Sequence, residues 1–240
     1  MLQETELIVL DAVRYSDTAA IVHTYSRAFG PLHLKVARTS RRKAGGTRPF
    51  FTPFSLLSVT LDFRPKKEVQ VPWEARLVAC PSCVSTDPVA NAVTLFLTEV
   101  LFRLLRNEEP DETLFVLLKN EIEAMDGLST GELANFHLVF LLKLLPALGI
   151  LPILESYRQG YVLDFEEGRF FPAQNAAQKA DAESSATLFG MITAPEPYRY
   201  PLTRETRKAF LGFLTRYLSH HFPSVRDLRS PDVLSTLFAG

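Results

Sequence analysis

The chain has 240 residues, 47% of them hydrophobic and 22% charged, an ordinary globular composition that excludes a mostly disordered protein. Two cysteines in this length exclude a disulfide-dense secreted scaffold. The net charge of −1 conceals an asymmetry: residues 1–79 carry 12 Lys+Arg against 7 Asp+Glu, and residues 80–240 carry 14 against 20. A basic half points to an anionic partner, with nucleic acid or a membrane surface as the usual candidates.

The N-terminal segment has acids where a secretory signal has Lys or Arg, and its apolar run stops at Asp11. The most apolar stretch, 136–148, is too short for a bilayer and contains Lys143. The expectation is a cytoplasmic protein with no membrane contact.

Residues 1–79 read as five short strands. Segments 7–15 and 19–25 are rich in Ile, Val and Tyr, with Ser16-Asp17 as a hairpin turn between them. Leu32, Leu34 and Val36 alternate with polar residues, as do Leu57, Val59, Leu61 and Phe63, which is the period of half-buried strands. Val69 and Val71 mark a fifth strand that Pro72 is expected to end. Five strands in this length fit an OB-fold β-barrel. The segment 39–52 is basic, carries Gly45-Gly46 and has neither period, so it reads as a loop.

From Asp87 the period becomes helical. Asp87 and Pro88 suit an N-cap and first helical position, and the apolar positions from Val93 to Leu105 form one face. Asp111 caps a second helix that ends near Gly127. A third, 132–148, is apolar almost all round, and Pro146 should kink or end it. Residues 149–202 read as irregular with short helical pieces. Thr203 opens a last long helix with Phe210, Phe213, Leu214, Tyr217 and Leu218 facing inward, followed by an apolar turn at Val233-Leu234 and Leu237-Phe238. The expected fold class is therefore α+β and multidomain: an N-terminal OB-fold barrel over 1–79, a link near residues 80–86, and an all-α helical domain within 80–240.

Little in the sequence points to catalysis. Cys80-Pro-Ser-Cys83 has redox spacing, but the next helix is expected several residues later. A zinc site would need a second ligand pair, which His220-His221 supplies poorly. The pair reads as ordinary linker cysteines, with metal and redox roles as the alternatives. His23 and His33 read as barrel-surface residues and His137 as a hydrogen-bonded core histidine. No phosphate loop or nucleophile–base pairing is present, so the expectation is a protein with no catalytic residues, metal or cofactor.

The strongest functional signal is basic. Residues 27–67 hold ten cations against one acid, Asp62. Lys35, Arg38, Arg41, Arg42, Lys43, Arg48, Arg64, Lys66 and Lys67 are the candidate DNA-binding set. Phe50, Phe51 and Phe54 follow the loop and read either as base-stacking rings or as the start of a buried strand. A protein-interaction module working through the helical domain is the competing class.

The residues Val9-Leu10, Arg14-Tyr15, Ile21-Val22-His23, Phe29-Gly30, Val36-Ala37-Arg38 and Pro53-Phe54, in that order, resemble the RecO family of bacterial recombination mediators. The resemblance continues through Leu141-Leu142, Leu144-Leu145, Leu148-Gly149, Pro152 and Leu228-Arg229-Ser230. It implies binding of single- and double-stranded DNA and annealing of complementary strands. It also implies help, with RecR, for RecA in displacing single-strand-binding protein, whose C-terminal tail would dock on the helical domain. Arg204, Arg207, Lys208 and Arg216 are the candidate tail-binding cations. Many members carry a four-cysteine zinc site, but Tyr157 stands where its first cysteine is expected, so the site should be absent here.

Overall fold

The computed structural model describes residues 1–37, 51–106 and 108–228, with 176, 177, 179 and 180 described by their backbone alone. It forms two compact units, Met1–Gly127 and Leu128–Gly240. Among the described residues no helix is long and apolar enough to cross a membrane.

The first unit begins with β1 (Leu2–Arg14), β2 (Ala19–Ser26), β3 (Gly30–Ala37), β4 (Leu56–Asp62), β5 (Val69–Gln70) and β6 (Pro72–Ala79). Among the described residues six strands stand where five are expected, and Pro72 opens the last of them rather than ending one. The difference is local: Pro lacks a ladder donor, but at the first position of an edge strand none is needed. The sheet order is β5-β3-β2-β1-β4-β6, so its two edge strands are consecutive in the chain with only Val71 between them. Flat, the edges of six strands would lie about 24 Å apart, whereas one residue spans about 3.5 Å. The sheet has to roll into a closed barrel. Leu7, Val9, Val22, Leu32, Leu34, Leu57, Val59 and Leu61 fill its interior, with Phe51, Ala75 and Leu77 packed against them.

Because Leu7 and Val9 point inward, Ile8 points out, yet it is fully buried, as is Tyr25 on β2. Three helices follow: α1 (Cys83–Thr86), α2 (Pro88–Leu104) and α3 (Glu112–Ala124). Asp87 caps α2 as expected, its carboxylate accepting from the Val89 and Ala90 amides. Helix α2 packs on β1 and covers the outward apolar residues. The α2–α3 connection is pinned by the Tyr25 hydroxyl, which donates to the Glu109 carbonyl (3.3 Å) and accepts from the Asp111 amide (3.0 Å). Arg27 bridges Glu6 and Glu112, and Lys119 reaches Glu6 at 2.6 Å. Gly30 is in the left-handed region (φ 64°) with its α-carbon close to the backbone of residues 108–110, where a side chain would collide.

In the second unit, α4 (Thr130–Ala147) is buried on most sides. A capping box between Ser129 and Glu132 starts it, and a Schellman turn through Gly149 (φ 71°) ends it just past Pro146. The unit is not all-α. A hairpin of β7 (Tyr161–Asp164) and β8 (Arg169–Pro172) precedes α5 (Ala176–Thr193), where the sequence reads as irregular. Four-residue strands show too little alternation to be recognised. Helix α5 is rich in Ala and Ser and so lacks a strongly apolar stripe, although Ala is the best helix former. Its Ser185 hydroxyl accepts from the Leu163 amide at 3.0 Å, fixing hairpin to helix. Helix α6 (Arg204–His221) buries the five residues expected to face inward. The apolar turn expected at 233–238 lies outside the described residues.

Two measurements test this packing. Gly30→Ala is expected to cost about 1–3 kcal/mol, combining left-handed strain with displacement of the α2–α3 backbone, read as a lower urea midpoint at unchanged m. His137, fully buried on α4, is held near pKa 3 by burial, with Arg207 acting in the same direction. Its unfolded value of 6.5 lies above the folded one, so its contribution is full above pH 6.5 and is lost as pH falls from 6.5 toward 3. Stability should therefore decline between pH 6.5 and 4.5 by up to about 1.4 kcal/mol per pH unit for this one group. His137→Gln should flatten that slope whatever its effect at pH 7.

Candidate nucleic-acid interface

Helix α2 covers only part of the barrel's outer wall. A β-bulge at Leu10 shifts the β1–β2 register, so that Asp11, His23, His33 and Val69 form one cross-strand row, and Val13, Ile21 and Lys35 the next. The second row is more open: Val13 and Lys35 are exposed, and the Lys35 ammonium sits 4.8 Å over the ring centre of Tyr15, itself exposed.

The histidines of the first row are half-buried rather than open surface residues. Their Nδ1 atoms are 2.9 Å apart, so one ring donates to the other, and Phe102 of α2 lies against His23 at 4.9 Å. Burial pushes both below the ordinary histidine value. At His23 the neighbouring His33 acts in the same direction, Asp11 opposes it, and Arg106 adds to the lowering. At His33 the Glu68 carboxylate opposes burial and Arg106 reinforces it. The bond needs an unprotonated Nδ1 on the accepting ring, and the lowered values of both rings favour that. Arg106, exposed at the end of α2, adds a cation to this face that the sequence reading missed, because it lies far from the basic segment in the chain.

A second cationic element is the turn between β4 and β5. Gln70, 3% exposed, donates from its amide to the carbonyl of Arg64 (2.9 Å) and to that of Lys67, and accepts from the Arg64 amide (3.2 Å). One buried amide thus holds the turn that presents Arg64, Lys66 and Lys67. Arg64 also forks onto the Asp62 carboxylate at 2.9 and 3.1 Å, while Lys66 and Lys67 are exposed. Val69 pairs with His33 and Gln70 with Leu34, so the turn leads into β5 beside β3, the strand that carries Lys35. These cations border one face without touching. Arg38, Arg41, Arg42, Lys43 and Arg48 lie outside the described residues, as does Phe50.

The aromatic reading needs correction. Phe54 is fully buried with φ 66° and Phe51 packs against the barrel core, so neither is open to a base. The amide of Phe54 donates to the Val9 carbonyl at 2.9 Å, and that bond draws the ring inward.

The candidate tail-binding cations divide. Arg204 and Lys208 are exposed. Arg207 is half-buried, its Nε donating to the Asn135 side chain at 3.0 Å, while Asn135 itself donates to the carbonyls of Tyr198 and Tyr200. Arg216 pairs with Asp181. Tyr157 stacks on Phe189 at 4.3 Å and meets Phe170 edge-on, an apolar environment rather than a ligand position. Among the described residues no three His, Cys, Asp or Glu side chains converge as metal ligands.

Contrary to expectation, a helical turn does start at Cys83, with the Asp126 carboxylate accepting from the Ser82 and Cys83 amides. The sequence reading missed it because α1 has only four residues. Burial and then the Asp126 carboxylate push the Cys83 thiol up to about 11, opposite to what a redox cysteine requires. Iodoacetamide at pH 7.5 should accordingly label Cys83 about tenfold more slowly than an unperturbed thiol, checked by peptide mass spectrometry.

Residues 1–80 match the family model described as Recombination protein O N terminal, and residues 85–230 match Recombination protein O C terminal. The chain is 33% identical over 247 residues to a protein named DNA repair protein RecO from Porphyromonas gingivalis, covering 99% of this chain and 100% of that one. It is 31% identical over 242 residues to proteins of the same name from Phocaeicola vulgatus, with 100% of both chains covered, and from Bacteroides fragilis, with 99% and 100% covered. Two family models that together span most of the chain, and full-length relatives above 30% identity, place it in one group: the chain belongs to the RecO family of DNA repair proteins.

Proposed function

We propose that the N-terminal barrel is an OB fold that binds single-stranded DNA through phosphates, on the face bounded by Lys35, Arg106 and the Arg64–Lys67 turn, with the cations Arg38, Arg41, Arg42, Lys43 and Arg48 taking part in binding. The observation that carries this is the Gln70 clamp. This buried amide bonds the backbone at Arg64 and Lys67 and so fixes the turn from which three cations project. The sheet order supports the fold assignment, since β3 next to β5 and β4 next to β6 is the closure of a Greek-key barrel whose fifth strand is bent at Val71. Readout is sequence-tolerant, because long cationic side chains bonded to phosphates carry no base code.

The remaining reading comes from the family. The 1–79 domain binds single- and double-stranded DNA and anneals complementary strands. The 80–240 domain, a zinc-less variant, receives partners: RecR, and the acidic C-terminal tail of single-strand-binding protein beside Arg204, Arg207, Lys208 and Arg216, of which Arg204, Lys208 and Arg216 are exposed and Arg216 is paired with Asp181. RecA loading occurs indirectly, in the cytoplasm, with no bond chemistry and no cofactor.

A binding titration against salt tests the core of this. Each phosphate neutralised on a single strand contributes about −0.7 to the slope of log K against log salt, so three to five contacts give about −2 to −3.5. Lys35→Ala, Lys66→Ala and Lys67→Ala together should weaken binding to all sequences alike and flatten the slope by about 2. Arg41→Ala, Arg42→Ala and Lys43→Ala together should also weaken binding and flatten the slope by about 2. An unchanged slope in the first triple variant moves the site off this face.

A further inference from the structure

Resting on that reading, we propose that Trp73 is a stacking platform for a base of the bound single strand, three residues beyond the clamp that orders the cationic turn. Trp73 is 79% exposed, an exposure rare for the largest apolar side chain. Its position is built rather than accidental. On β6, Ala75 and Leu77 face the barrel core, so simple alternation would turn Trp73 inward with them. The register instead runs Leu61↔Pro72 and Thr60↔Glu74, which leaves Trp73 as the extra residue of a β-bulge, unpaired and re-aimed outward. Val71, one residue short of β6, is also open, at 56%.

The surroundings favour a nucleic-acid strand over a protein. Gln70 and Trp73 are three residues apart, ~10 Å of extended chain, which a strand spans in about three nucleotides at duplex spacing. On one side is the turn of Arg64, Lys66 and Lys67. On the other is Arg76, which forks onto Glu74 at 3.0 and 3.2 Å as Arg64 does onto Asp62. Two carboxylates are thus neutralised by arginines that face solvent, and among the described residues neither Lys66 nor Lys67 forms an ion pair with a carboxylate. Cations interleaved with an open ring are the elements a sequence-tolerant single-strand site uses: phosphates on the cations, a base on the π face. This ring also supplies the aromatic component that Phe54, being buried, cannot, and that Phe51, packed against the barrel core, offers only in part.

The chain has one tryptophan, so its intrinsic emission reports this position alone. Full-length protein is titrated with oligo(dT) carrying a terminal dye, following dye anisotropy for binding and tryptophan emission for stacking. Binding accompanied by quenching, a roughly 5- to 100-fold loss of affinity in Trp73→Ala and near-wild-type affinity in Trp73→Phe support the proposal. An oligonucleotide with abasic sites keeps every phosphate and should bind the wild type and Trp73→Ala equally. Thermal unfolding should be unchanged in both variants, since the ring is exposed. Binding by anisotropy with unaltered emission and unaltered Trp73→Ala affinity overturns the platform while leaving the DNA reading intact. No binding at all overturns both. A concentration-dependent emission shift without DNA, lost in Trp73→Ala, also overturns it and gives the ring to a second copy of the chain.

Discussion

The joint at Val71 is the constraint on which the first unit depends. One residue separates Gln70, paired to β3, from Pro72, paired to β4, and that short reach obliges the sheet to close. Closure places Gln70 inside the wall, where its amide needs partners, and the backbone of the β4–β5 turn supplies them. It also sets the β4–β6 register in which a bulge expels Trp73. The barrel's core, its ordered cationic turn and its open ring are consequences of one tight connection.

Helical cover divides the outer wall of that barrel into two parts. Helix α2 and the α2–α3 connection take the apolar part, around Ile8 and Tyr25, and leave the part carrying Val13, Ile21 and Lys35. The His23–His33 pair marks the border, with Phe102 against His23 and burial lowering the basicity of both rings. Charge is thereby concentrated on uncovered surface: the barrel segment carries the chain's excess of cations, and helices with an excess of acids mask the remainder.

Much of the fold is legible in the sequence because strong local signals produced it. Asp87, Asp111 and Thr203 each cap the helix expected of them, since a short polar side chain before an apolar periodic run has few other roles. Strands β1 and β2 are recognisable by their Ile, Val and Tyr content, and β3 and β4 by alternation. What escaped notice lacks local contrast. Strand β6 starts with a proline and carries mixed polarity, hairpin β7–β8 is too short to alternate, and α5 is built on Ala and Ser. Of the candidate site, the basic segment was visible as composition, but its organiser, Gln70, is an ordinary residue until the fold buries it. Phe54 and Trp73 show the same lesson from opposite sides. A backbone bond to Val9 draws one ring into the core and a bulge turns the other out, and residue type predicts neither.

Tyr25 has a consequence for how this protein can be divided experimentally. Its ring is buried and its hydroxyl holds two backbone groups of the α2–α3 connection, while Ile8 beside it lies under α2. A fragment ending near residue 80 would expose both to water, a hydrophobic patch on a free sheet surface that invites aggregation. The compact unit is residues 1–127, so nucleic-acid assays on an isolated N-terminal part belong on that longer fragment.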